Sequence, residues 1–329
     1  MNIPLTLACG PYDRTAALQD GRVRPEGIDL TYLALPVEET FFRMLTYREF
    51  DIAELSLSSY CASRCVDDPD LVAIPVFPSR SFRHGSIFVN ASSGIEEPAQ
   101  LRGKVIGTPE YEITAGVWIR GMLADEHDVP VESVSYRTGG LEQPERREKL
   151  VLELPESLDI RPIGNGQTLS QALAEGQIDA LYTARAPSTF GADGDSVRRL
   201  FSDPQAAEEE YFKATRIFPI MHVIVLRRAV HERSPWIARS LLKAFTQARD
   251  LAYARLRETA ALTYMAPWLP LQTQRAVELM GEDFWPYGLE PNRHVLDTFL
   301  GYHHEQGLSP QRLAPESLFV AETREAFAI

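Results

Sequence analysis

Arg216-Ile217-Phe218-Pro219-Ile220-Met221-His222-Val223-Ile224-Val225-Leu226 is the stretch on which the fold turns. Residues 221–226 are apolar and rich in β-branched side chains, the composition of a buried strand. Upstream, strands expected at 6–8, 28–32, 51–55, 71–77 and 86–90 alternate with helices over 15–20, 38–47 (apolar side Phe41, Phe42 and Leu45) and 57–64. A second alternating block begins near Pro98. It has strands at 104–108, 134–136, 158–163 and 178–182, helices at 114–125 and 169–176, and a charged excursion over 139–155. Downstream of the return strand the chain reads as helical, with Ile237, Leu241, Phe245 and Ala252 at helical spacing in a helix to about Arg257, then helices near 273–280 and 293–305. Two α/β blocks with one return predict two three-layer α/β sandwiches. The expected lobes are 1–95 with 219–329, and 96–218, joined by a hinge, with a helical C-terminal tail on the first lobe. Ligands favour clefts between such lobes.

The chain has 329 residues, with 33 basic against 46 acidic side chains and a net charge of −13. That balance argues against nucleic acid and anionic membranes as partners. The opening Leu7-Ala8-Cys9-Gly10 imitates a lipoprotein cleavage site, but it lacks a basic leader and a long apolar core, and a cytoplasmic protein is expected. Cys9, Cys61 and Cys65 form an odd set without a disulfide framework. Cys61 and Cys65 share a helix face, and without a matching His or Cys pair they read as core thiols rather than half a metal site.

Several loops at strand ends carry residue types suited to an anionic ligand. Tyr12-Asp13-Arg14 follows the first strand. Ser56-Leu57-Ser58-Ser59 opens a helix, as does Thr108-Pro109-Glu110-Tyr111-Glu112-Ile113-Thr114, and such starts combine capping hydroxyls with free N–H groups. Arg80, Arg83 and His84 crowd into Pro78–Gly85. Arginine holds carboxylates bidentately, and histidine transfers protons near neutral pH. Arg185 is a further clamp candidate, and Arg216 and His222 flank the return crossing. The adjacent His303-His304 reads as surface. There is no phosphate loop, Gly-x-Ser-x-Gly elbow, zinc motif or dinucleotide fingerprint, so a binding protein or an enzyme without metal or organic cofactor is expected.

Residues 7–15 (Leu-Ala-Cys-Gly-Pro-Tyr-Asp-Arg-Thr) with 20–30, Phe77–Gly85, and Phe218-Pro219-Ile220-Met221-His222 resemble the 4,5-dihydroxyphthalate decarboxylases. The resemblance implies a fold like that of type II periplasmic solute-binding proteins. It also implies cofactor-independent decarboxylation of a dihydroxylated aromatic dicarboxylate, taking 4,5-dihydroxyphthalate to protocatechuate and CO2. A solute-binding protein of an ABC-type transporter for a small carboxylate, or another cofactor-free lyase of this fold, is the alternative. On that reading Arg80 and the helix start at Ser58 and Ser59 clamp the retained carboxylate. His84 or His222 donates the proton, and Glu110 or Asp13 polarises a phenol. Tyr12, Arg14, Thr108, Tyr111, Thr114, Arg185 and Arg216 complete the expected substrate contacts. The partner is then a small aromatic carboxylate, and a homo-oligomer is left open.

Overall fold

The first strand, β1 (Ile3–Cys9), is seated between two parallel neighbours in the computed structural model, which describes residues 2–144, 150, 152–191 and 196–325. After α1 (Asp13–Gln19), β2 (Ile28–Ala34) pairs with it from Ile3↔Ile28 to Cys9↔Ala34. Next come α2 (Val37–Tyr47), β3 (Ile52–Ser56), α3 (Leu57–Ser63) and β4 (Leu71–Arg80). In α2 the buried face is Thr40, Phe41 and Met44, while Phe42 is exposed, one residue off the expected stripe.

The second block holds β5 (Ile87–Asn90), β6 (Val105–Thr108), α4 (Thr114–His127), β7 (Ser135–Thr138), β8 (Ile160–Pro162), α5 (Leu169–Ala174), β9 (Ala180–Tyr182), β10 (Val197–Arg199) and α6 (Pro204–Thr215). β10 and α6 go beyond the sequence expectation. The expected excursion over 139–155 lies in part outside the described residues. The chain then returns as β11 (Ile220–Arg227), followed by α7 (Arg228–Arg233), α8 (Trp236–Leu256), α9 (Leu269–Met280) and α10 (Arg293–Glu305).

Among the described residues the first sheet has the order β2-β1-β3-β11-β4 and the second β10-β5-β9-β6-β7-β8. β11, returning from the second block, enters the first sheet between β3 and β4 and is antiparallel to both. Contacts group the chain into Met1–Arg80, Ile220–Asp297 and Leu313–Ile329 as one unit, and Ser81–Pro219 with Thr298–Arg312 as the other.

The boundaries therefore differ from the expected 95/96 and 218/219. β5 hydrogen-bonds to β9 and β10 of the second sheet, which takes Ser81–Ile95 with it. The tail differs too, because Thr298–Arg312 is held in the second unit by aromatic packing. Phe299 and Tyr302 pack on Trp118 at 5.3 and 5.8 Å. The Tyr302 ring lies where a Cβ on Gly121 would stand, 2.2 Å away, so only glycine lets α4 accept it. Rings of this size contribute about 1.5–3 kcal/mol each on full burial. His303 is fully buried against Phe299 in the same cluster, and is not a surface residue.

Candidate active site

Glu54 is the residue around which the first unit organises its chemistry. It lies in β3 between β1 and β11 and is 0% exposed. An isolated carboxylate there would be costly, so its surroundings must donate. Glu54 Oε2 accepts from the Gly10 N–H at 2.9 Å and from Cys9 Sγ at 3.4 Å. Oε1 accepts from the Tyr12 hydroxyl at 2.8 Å and faces His222 Nδ1 at 2.6 Å. A carboxylate only accepts, so His222 donates through Nδ1–H and Glu54 leaves its Nε2 unengaged.

The backbone explains this convergence. Period-two alternation puts Glu54 and Ser56 on one face of β3, and β11 lays His222 opposite Ser56. The register of β11 against β4 shifts on both sides of His222, the kind of irregularity that re-aims a side chain. His222 keeps 17% of its side chain accessible, and Nε2 is not among the buried atoms lacking a partner. The Tyr12 ring folds back over Gly10, where a Cβ would meet it at 2.6 Å, and this fold brings its hydroxyl to Glu54. Tyr32 braces the turn, its hydroxyl 2.6 Å from the Gly10 carbonyl and 2.9 Å from Thr15 Oγ1.

Burial by itself raises the Glu54 carboxyl, but the hydrogen bond and charge of His222, with the donors of Gly10 and Tyr12, outweigh it and hold the group below its ordinary value. Burial and the Glu54 charge push Cys9 and Tyr12 up, so thiol and phenol stay protonated and remain donors.

Arg14, in the first turn of α1, stands beside this cluster. Its guanidinium lies over the Tyr12 ring at 4.1 Å from the ring centre and over that of Trp285 at 4.4 Å, two cation–π contacts. Nε donates to the Pro78 carbonyl and Nη1 to Asp13 at 3.0 Å. Among the described residues no bond engages Nη2. Tyr12, Asp13, Arg14 and His222 are thus brought together, and the sequence reading missed Glu54 and Trp285. A carboxylate inside an apolar strand, Ile52-Ala53-Glu54-Leu55, was the available signal.

Other expected residues are placed differently. Arg80 is 6% exposed and donates through Nη2 to the Pro286 carbonyl at 2.9 Å and to Asn292. Burial drags its pKa down to about 9. Both partners belong to the first unit, where the sequence reading expected a carboxylate clamp. Ser58 and Ser59 are fully buried, and the cap of α3 is Ser56, which accepts from the Ser59 N–H.

His84, Thr108, Glu110, Tyr111, Thr114, Arg185 and Arg216 belong to the second unit. Thr108, Glu110, Tyr111 and Thr114 are buried. Tyr111 is core: Arg120 stacks on its ring at 4.0 Å and donates to its carbonyl at 2.7 Å. Arg185 is exposed on the loop after β9. Arg216 ends α6 in the left-handed region at φ 59°.

His84 is 3% exposed and packs edge-on against Phe201 and Tyr211 at 5.1 and 5.2 Å. Burial, helped by the neighbouring His127, lowers it to about 4, so it is neutral near pH 7 and poorly suited to donate a proton there. The unfolded chain holds a proton on this group up to its ordinary 6.5 and the folded chain only to about 4. Stability from this group is therefore complete above about pH 6.5 and declines as the pH falls towards 4, by about 3 kcal/mol in all. Urea midpoints of the native protein and His84→Leu at pH 4.5 and 7 measure this. An identical pH dependence in both would refute it.

Among the described residues no three His, Cys, Asp or Glu side chains group as metal ligands, and no helix is long and apolar enough to cross a membrane.

Comparison with known proteins places this geometry in context. No family model matches the chain. A Comamonas testosteroni protein named 4,5-dihydroxyphthalate decarboxylase is 42% identical over 327 residues, 99% of each chain. A Pseudomonas putida protein of the same name is 41% identical over 210 residues, 64% of this chain and 81% of that one. Among solved structures, the periplasmic aliphatic sulphonate binding protein SsuA from Escherichia coli aligns with a TM-score of 0.53 at 14% identity, covering 97% of this chain and 98% of its own. A mutant of DSZB in complex with biphenyl-2-sulfinic acid aligns with a TM-score of 0.53 at 16% identity, covering 98% and 97%. These two likenesses show the fold alone, the two-unit α/β architecture of periplasmic solute-binding proteins. With 42% identity along its whole length to a curated member, the chain belongs to the 4,5-dihydroxyphthalate decarboxylase family.

Proposed function

We propose that the protein is a carboxy-lyase that converts 4,5-dihydroxyphthalate to protocatechuate and CO2 without a metal or organic cofactor. The observation that carries this is the full-length identity to the Comamonas testosteroni enzyme. The first unit supplies chemistry that fits: a guanidinium in contact with two aromatic rings, and an imidazole backed by a buried carboxylate.

In this reading Arg14 Nη2 binds the retained carboxylate and holds the ring beside His222. The hydroxyl para to the departing carboxylate supplies electron density as its proton moves towards Asp13. His222, protonated at Nε2, gives that proton to the ring carbon bearing the departing carboxylate. The C–C bond breaks, its electron pair restores the aromatic ring, CO2 leaves, and the hydroxyl takes its proton back. His222 is reprotonated from water, so each turnover consumes one solvent proton. Glu54 orients His222 and offsets its charge while it is protonated.

The test is incubation with 4,5-dihydroxyphthalate in D2O, in the presence of a chelator. The expected result is CO2 release and one deuterium in protocatechuate at the carbon that lost its carboxylate. Tight binding without turnover would instead support a carboxylate receptor. Turnover that chelation abolishes and one divalent ion restores would overturn the metal-free reading. We also place the enzyme in the cytoplasm as a homo-oligomer. Its three free cysteines support the first and the exposed Met265, Trp268 and Leu271 the second.

A further inference from the structure

Arg14 is useful to a substrate only if its guanidinium is already aimed, since a long flexible side chain loses rotamer freedom on binding. Trp285 lies 271 positions further along the chain, yet the guanidinium carbon stands 4.4 Å from its ring centre and 4.1 Å from that of Tyr12. Trp285 is itself pinned at three atoms. Its indole Nε1 donates to the Phe77 carbonyl at 2.8 Å, the bond next to the Pro78 carbonyl that accepts from Arg14 Nε. Its backbone N–H donates to the Tyr253 hydroxyl at 2.7 Å, and that hydroxyl donates on to Asp283 at 3.0 Å. Its carbonyl accepts from Arg249 at 3.2 Å, and Arg249 pairs with Asp283 at 3.3 Å. Two successive carbonyls at the end of β4 therefore hold the arginine and the ring stacked on it, and a relay from α8 fixes the ring's backbone.

We infer that Trp285 is the positioning residue of the carboxylate-binding site: it holds the Arg14 guanidinium where Nη2 can meet an aromatic carboxylate. The inference rests on the assignment of Arg14 to the retained carboxylate. Trp285 acts through Arg14, so its loss appears in binding rather than in the chemical step.

Steady-state kinetics with 4,5-dihydroxyphthalate on Arg14→Gln, Trp285→Leu, Trp285→Phe and the double variant Arg14→Gln/Trp285→Leu test this. Arg14→Gln raises KM by about ten- to a hundredfold, the loss of a charge-assisted contact. Trp285→Leu raises KM by about three- to thirtyfold, the range of a partly desolvated cation–π contact, with kcat within about twofold. Trp285→Phe restores an aromatic face without the N–H and falls between Trp285→Leu and the native enzyme. In the Arg14→Gln background Trp285→Leu adds no further rise, because the group it positions is gone.

If Arg14→Gln raises KM and Trp285→Leu does not, the Trp285 inference fails alone. If Arg14→Gln leaves KM unchanged, the Arg14 assignment fails and the inference with it. A Trp285→Leu penalty of equal size in both backgrounds marks general packing and overturns positioning. Trp285→Phe, which keeps most of the buried volume, carries the test if the leucine variant does not fold.

Discussion

Exchanging His222 for asparagine is expected to lower kcat for CO2 release by a factor of about 10²–10⁴, with KM changed by less than about threefold. The substitution is chosen for what it leaves in place. Glu54 is wholly buried and takes hydrogen bonds from Gly10, Tyr12 and His222. Deleting the imidazole outright would strip a donor from that carboxylate and confuse catalysis with folding, because an unsatisfied buried acceptor costs about 1–3 kcal/mol or more. The asparagine amide keeps an N–H for Glu54 and removes Nε2. A variant that melts within a few degrees of the native protein and turns over at a nearly native rate would take the proton transfer away from His222. Glu54→Gln is the companion: it keeps the shape, removes the charge that steadies a protonated imidazole, and lowers kcat by a factor on the order of 10² or more.

The second large effect is on stability. Arg80→Met is expected to cost about 2–4 kcal/mol, because the Pro286 carbonyl and the Asn292 side chain each lose a buried donor. Asn292 in turn donates to the carbonyls of Pro286 and Gly288 at 3.0 and 2.7 Å, so the arginine secures the chain just after Trp285. Methionine fills much of the aliphatic volume, which leaves the lost hydrogen bonds as the main cause. KM of the folded variant should move by less than about threefold, since Nη2 is engaged by Pro286 and Asn292. Urea unfolding together with steady-state kinetics separates the alternatives. A tenfold rise in KM with unchanged stability would return Arg80 to the substrate.

These two arginines show why the site was half legible. Both precede or follow a strand end, both sit near aromatic residues, and both resemble a carboxylate clamp on paper. Arg14 keeps Nη2 unengaged among the described residues, whereas Nη2 of Arg80 donates to Pro286 and Asn292, more than two hundred positions away. Distance along the chain hides such partners. The same holds for His84 and His222, alike as single histidines beside apolar residues. One is packed against Phe201 and Tyr211, and the other is hydrogen-bonded to a buried carboxylate.

Local pattern by itself determined most elements of this protein, β10 and α6 excepted: alternating strands and helices, the return strand through His222, and the buried face of the long helix at Ile237, Leu241, Phe245 and Ala252. These follow from periodicity and side-chain shape, which act over a few residues. By residue type it offered Tyr12, Asp13, Arg14 and His222 as candidates beside Ser58, Ser59, Arg80 and His84. Tertiary structure decided which sheet each strand joins, so that β5 leaves the first unit and Thr298–Arg312 enters the second. It brought Glu54 to His222 and Trp285 to Arg14. Burial, hydrogen-bond satisfaction and ring stacking are relations between segments far apart in the chain, and they come into being only when those segments meet.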